Sequence, residues 1–118
     1  MTSLATARWV LLAGLAFVFL YFGIEKFIDP FTWIGWMPPW MDGLLGMPVA
    51  TWLPIIGGTE ILIGVMLLVP MRAMQLTGAL LAVLHLCGIL ATIGWNDVAV
   101  RDVGLLCMAM GAWFLPRE

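Results

Sequence analysis

A chain of 118 residues that is 64% hydrophobic and only 10% charged, with a mean hydropathy of +1.09, carries more apolar surface than a soluble domain of its size can hide, because soluble domains are roughly half apolar and about a quarter charged. Its five basic and seven acidic residues give a formal net charge of −2, which excludes nucleic acid as a partner class. A single membrane-embedded domain, residues 1–118, is the expectation, with the lipid bilayer as its surroundings.

The first apolar segment runs from about Leu4 to Phe27. Inside it, Trp9 to Ile24 is a stretch of 16 apolar or glycine residues behind a single Arg8. That is long for a signal-peptide core, and no small-x-small cleavage site follows, so an uncleaved first span is expected. Three further segments follow, at about Trp52 to Val69, Ala73 to Gly94 and Val98 to Leu115. Each is near the length a helix needs, at ~1.5 Å rise per residue, to cross a hydrocarbon core of ~30 Å. None shows the polar alternation of a barrel strand. The predicted fold is an all-α integral membrane protein, a four-transmembrane-helix bundle. Val69-Pro70-Met71-Arg72 and Gly94-Trp95-Asn96-Asp97 make tight turns, so the spans they join are expected to be antiparallel neighbours.

The connection from Asp29 to Thr51 is different. Its 23 residues carry Trp33, Trp36, Trp40, Pro38, Pro39 and Pro48, and Trp52 follows. Indole rings favour the headgroup level because the ring is apolar while its N–H needs a polar partner. A Trp/Pro-rich interfacial connection is therefore predicted, with short helix on one or both sides of Pro38-Pro39. Two readings stay open for it: an aromatic belt, or a re-entrant lid over a ligand pocket. Arg8, Arg72 and Arg117 fall on one side of a four-span chain, and Lys26 and Arg101 on the other, each of the latter beside an acid. The positive-inside rule then puts both termini in the cytoplasm.

Ionisable groups within a span are costly unless paired or wetted, so they mark packed interiors or functional sites. Here they are Glu25, Lys26, Glu60, His85, Arg101 and Asp102. Glu60 falls ~12 Å past Trp52 along its helix and His85 ~13 Å before Gly94, so all six belong to the outer half of the bundle. Stepping ~100° per residue, Glu25 shares a stripe with Tyr21, Val18 and Gly14; Glu60 with Gly57, Gly64 and Leu53; His85 with Gly78, Leu81, Gly88 and Thr92; Arg101 with Gly104, Met108 and Gly111. Small residues mark close helix approach, so the six are expected to meet in one buried polar cluster. That cluster is either interhelical glue, with Arg101 bridging Glu60 or Glu25, or a proton-linked or quinone-headgroup site in which a carboxylate and a histidine exchange protons with a carbonyl ring.

Cys87 and Cys107 lie at similar depth, but no CxxC is present. Cys87 falls on the side of its helix away from His85, so burial as a small apolar side chain is expected in preference to redox work. Met37, Met41 and Met47 raise a soft Cu(I) site, but no Cys or His joins them in the sequence, and a lone histidine builds no multi-His metal site. No metal site is assigned. No P-loop, dinucleotide or nucleophile motif is present, so the chain is not expected to be catalytic alone.

Three blocks resemble the DoxX family of small bacterial and archaeal four-helix membrane proteins: Phe22-Gly23-Ile24-Glu25-Lys26-Phe27-Ile28-Asp29-Pro30, Leu53-Pro54-Ile55-Ile56-Gly57-Gly58-Thr59-Glu60-Ile61-Leu62-Ile63-Gly64, and Val100-Arg101-Asp102-Val103-Gly104-Leu105-Leu106. They occur in order at helix ends across most of the chain. The family takes its name from subunits of an archaeal terminal quinol oxidase and thiosulfate:quinone oxidoreductase. The resemblance implies a redox- or quinone-associated accessory subunit of a bacterial or archaeal cytoplasmic membrane, working with other membrane subunits, with quinone the cofactor in question and Glu25, Lys26, Glu60, Arg101 and Asp102 its polar signature. The absence of a CxxC separates it from the dithiol catalysts resembling vitamin K epoxide reductase. Two other classes remain: a purely structural or assembly subunit, and a small transporter, for which four spans would have to be supplemented by homo-oligomerisation.

Overall fold

A computed structural model describes residues 2–116. Among them the chain is all-helical, with no strand. Helix α1 spans Ser3–Ile28, α2 Pro30–Ile34, α3 Val49–Leu68, α4 Arg72–Ile93 and α5 Asp97–Phe114. Arg117, counted above for orientation, lies outside the described residues.

Local chemistry sets the ends. Thr2 Oγ1 accepts from the Ala5 amide at 3.0 Å to open α1, and Asn96 Oδ1 accepts from the Ala99 amide at 3.0 Å to open α5, each satisfying an amide that has no partner within its helix. Pro30, which fits the first turn of a helix but not its interior, closes α1 and starts α2. Gly94, at φ 74°, ends α4 in a backbone conformation that side-chain-bearing residues rarely adopt. Thr59, Thr77 and Thr92 donate their hydroxyls to carbonyls one turn back in their own helices, at 2.9, 2.7 and 3.1 Å. These hydroxyls need no water, which suits an apolar medium.

Helices α1, α3 and α4 are long and apolar enough to cross a membrane. Helix α5 is not among them, because Asp97, Arg101 and Asp102 crowd its first two turns. The molecule measures 48 × 26 × 23 Å. Its outside carries large apolar side chains such as Phe17, Ile55, Leu62, Leu84 and Phe114. An exposed apolar surface of this extent is foreign to soluble monomers.

The four long helices run up and down in a ring: α1 packs on α3, α3 on α4 and α4 on α5, while the α5–α1 seam is the thinnest. One half of the ring, away from the connection, is tightly packed with apolar side chains. Leu12, Leu15 and Ala16 meet Ile63 and Leu67 there, against Ala79 and Ala82 of α4 and Ala109 and Ala112 of α5. The alanines let helices approach closely, the usual source of packing energy when lipid offers no hydrophobic drive.

The α1–α3 crossing is tighter still. A Cβ built on Gly23 would lie 2.8 Å from the Gly57 carbonyl oxygen, and one on Gly57 would lie 2.9 Å from the Gly23 oxygen. This backbone contact fixes the register of the two helices. Because α1 and α3 are antiparallel, Lys26 and Glu60 lie on opposite sides of this contact, and the Lys26 side chain runs back along α1, its Nζ 3.4 Å from the Phe22 carbonyl, to reach Glu60.

Candidate functional site

The other half of the bundle, at the end holding the connection, is not filled. It encloses a cavity of about 380 Å³. Phe19 and Phe22 of α1, Ile56 of α3, Ile89 of α4 and Leu105 of α5 form apolar walls, and Trp33, Trp36, Met37, Trp40 and Met41 of the connection line its mouth. Lys26, Glu60, His85, Arg101 and Asp102 supply the polar lining.

Glu60 is the centre of that lining. It is only 5% exposed, and its two carboxylate oxygens face different partners. Lys26 Nζ lies 2.5 Å from Oε1, and His85 Nε2 lies 3.5 Å from Oε2. The second contact is at the edge of hydrogen-bonding reach and lacks the alignment of a hydrogen bond. Lys26, itself 8% exposed, also donates to the Phe22 carbonyl at 3.4 Å and sits 4.2 Å from the centre of the Trp33 ring. One ammonium thus ties α1 to α3 and to the connection at once. A buried carboxylate persists as an ion only when its partners offset its lost hydration.

A second pair lies across the cavity. Asp102 is 3% exposed and accepts from Arg101 Nη2 at 3.3 Å. The Arg101 guanidinium, half exposed, covers the Phe22 ring at 4.6 Å, bridging the thin seam between α5 and α1. Phe22 in turn meets Trp33 edge-to-face at 5.2 Å, and Phe19 meets His85 at 5.8 Å. The aromatic wall therefore makes direct contact with Lys26, His85 and Arg101.

Two buried nitrogens of residues that line this cavity, Trp33 Nε1 and His85 Nε2, have no hydrogen-bond partner among the described residues. Buried polar groups in folded proteins are nearly always satisfied, so each is a position where a bound molecule would gain a hydrogen bond. Among the described residues no three His, Cys, Asp or Glu side chains are grouped to hold a metal ion.

Several expectations from the sequence need correction. Glu25 does not join the cavity: the packed face of α1 is Leu12, Leu15, Ala16, Phe19, Gly23 and Lys26, and Glu25 sits on the stripe with Tyr21, which is 53% exposed. The Gly23–Gly57 contact dictates this rotation, whereas Gly14 suggested the other. On α5 the packed face is Ala99, Asp102, Leu105, Ala109 and Ala112, while Gly104 and Gly111 are exposed. Asp102 therefore points inward, and Arg101 reaches the cavity from its edge. Arg101 pairs with its neighbour and bridges neither Glu60 nor Glu25. Cys87 and Cys107 are both free and exposed, contrary to the burial expected of Cys87; the helix face opposite the core has only the exterior to meet. Met37 and Met41 reach the cavity mouth, but Met47 does not line it.

Of the four tryptophans expected at an interface, Trp33, Trp36 and Trp40 line the cavity. Trp52 instead donates its Nε1 hydrogen to the Leu44 carbonyl at 3.1 Å, bracing the connection from outside. Phe19 and Phe22 are wall residues that the pattern of polar groups does not single out. The spacing of Phe22 one helical turn before Lys26 was the signal available. Comparison with family models, with curated proteins and with solved structures finds no match to this chain.

Proposed function

We propose that this chain is a four-span integral membrane protein, a DoxX-like accessory subunit of a redox complex in a bacterial or archaeal cytoplasmic membrane, and that its cavity receives the headgroup of a membrane quinone. In this reading α5 is the fourth span, both termini are cytoplasmic, and the Trp-rich connection is a lid at the outer interface. The observation that carries the reading is the cavity itself. It combines aromatic walls with a buried carboxylate flanked by a lysine and a histidine.

The donor set fits such a head. A quinone presents two carbonyl acceptors, and Trp33 Nε1 and His85 Nε2 are two buried nitrogens without hydrogen-bond partners. Quinone, when bound, supplies two-electron, two-proton chemistry, with the electrons drawn from a partner oxidoreductase subunit. The chain's own residues bind and orient the ring between Phe19, Phe22 and Trp33. His85 Nε2 and Glu60 Oε2 stand where a proton would pass to or from the ring, and Lys26 keeps the Glu60 carboxylate in place. General acid–base groups placed in this way contribute typically ~10²–10⁴-fold to a proton-coupled step.

The competing reading is a structural or assembly subunit without ligand chemistry. The two interhelical ties favour it: Lys26–Glu60 joins α1 to α3, and Arg101 on Phe22 joins α5 to α1. Affinity purification from native membranes, followed by organic extraction, separates the two. Co-purified quinone and an oxidoreductase whose turnover falls in Glu60→Gln support the first reading. A stable partner with no quinone, and turnover untouched by Glu60→Gln and Arg101→Leu, leaves the second.

A further inference from the structure

The opposite end of the bundle holds a second polar recess that the quinone reading does not use. It is small, about 20 Å³, and is lined by Arg8 of α1, Arg72 and Gln75 of α4, and Ala112 and Leu115 at the end of α5. Arg8 Nε and Nη1 are buried there with no hydrogen-bond partner among the described residues. Arg72 stands at the first position of α4, exposed beside the same recess.

Neither arginine makes an ion pair among the described residues. The reason lies in the topology. The described carboxylates Glu25, Asp29, Asp42, Asp97 and Asp102 all sit at the connection end, and Glu60 sits half-way along α3. Two guanidinium groups from different helices therefore line one recess where no described carboxylate reaches them. Arg8 is half-buried, and leaving its Nε and Nη1 donors buried without an acceptor is costly; the planar fork of a guanidinium matches the oxygens of phosphate or carboxylate.

We propose that Arg8 and Arg72 form a phosphate site that clamps α1 to α4 at the terminal end. Both residues fall at the ends of apolar helices, at headgroup level, where anionic phospholipids concentrate phosphate beside basic side chains. The phosphodiester of such a lipid and free inorganic phosphate share the recognised chemistry. The Nε and Nη1 donors of Arg8 take one edge of the group, and the Arg72 guanidinium approaches from outside.

The full chain, purified in detergent, provides the test by native mass spectrometry. Dioleoylphosphatidylglycerol, dioleoylphosphatidylcholine and sodium phosphate are titrated separately into wild type, Arg8→Gln and Arg72→Gln. Retention of phosphatidylglycerol about tenfold tighter than phosphatidylcholine, weakened about fivefold or more in each variant, assigns the site to a lipid head. Protection by sodium phosphate in a thermal scan, lost in both variants and without selective lipid retention, assigns it to the free ion and equally upholds the phosphate site. Arg72 is exposed, so Arg72→Gln preserves the fold even if Arg8→Gln does not, and unchanged helicity by circular dichroism verifies this. Phosphatidylglycerol and phosphate responses that are the same in wild type and Arg72→Gln overturn the proposal.

Discussion

Removing one charge of the Lys26–Glu60 pair should cost far more than removing both. Lys26→Met keeps the stem of the side chain but strips Glu60 Oε1 of its 2.5 Å partner, leaving a carboxylate that is 5% exposed with only the His85 contact at 3.5 Å. Orphaning one member of a buried pair typically costs ~3–5 kcal/mol. The ammonium's position over Trp33 at 4.2 Å adds about 0.5–1 kcal/mol. Helix α1 is close to its end at Lys26, so the lower figure applies, and ~3 kcal/mol shifts the folding equilibrium more than a hundredfold. Glu60→Leu leaves a buried ammonium and should cost about the same. The double variant leaves no unpaired charge and should recover about 2 kcal/mol relative to the sum of the single changes. Equilibrium unfolding of the four proteins in mixed micelles, followed by circular dichroism, measures the cycle. Single variants within about 0.5 kcal/mol of wild type, combining additively, would refute the claim that this pair is a buried, structurally coupled contact.

Further outcomes follow from the same geometry. Gly23→Ala drives a methyl to 2.8 Å from the Gly57 oxygen, so α1 and α3 must part, at a cost of about 1–3 kcal/mol by the same unfolding assay; Gly58→Ala, with open space around it, should be neutral or slightly stabilising. Trp33→Ala removes the ring that contacts both Lys26 and Phe22, and should lower quinone retention at least tenfold in extracted preparations while changing stability by only about 1 kcal/mol. Cys87 and Cys107, free and exposed, should both label with a lipid-soluble maleimide under non-reducing conditions, and the double serine variant should unfold within about 0.5 kcal/mol of wild type.

The helices themselves were legible because each is a nearly continuous apolar run closed by proline, glycine or a cap. The segments read from the sequence, about 4–27, 52–69, 73–94 and 98–115, lie within three residues of α1, α3, α4 and α5 at every end. Rotation about the helix axes was not legible in the same way. Helices apolar all round give no amphipathic stripe to phase them, and in each of the adjacent pairs Glu25-Lys26 and Arg101-Asp102 one residue turns inward and the other outward or sideways. The stripes drawn through Gly14 and Gly104 chose the wrong member. The contact that decides, Gly23 against Gly57, depends on two backbones meeting, which no single-helix pattern contains. Glu60 was placed correctly because Leu53, Gly57 and Gly64 all share its buried face. The connection carried both of its readings in the sequence, since tryptophans spaced for a membrane interface are also spaced for a lid.

The most direct test is where a photoreactive quinone attaches. Full-length protein in lipid nanodiscs is irradiated with an azidoquinone, with and without excess unlabelled quinone, and digested for peptide mapping. A quinone-binding cavity predicts competable adducts confined to the segments around Val18–Met41, Ile56–Glu60 and Leu84–Leu105, and their loss when Glu60 and Trp33 are both replaced. Adducts spread over lipid-facing residues such as Phe17, Leu62 and Phe114, indifferent to competitor, would contradict it.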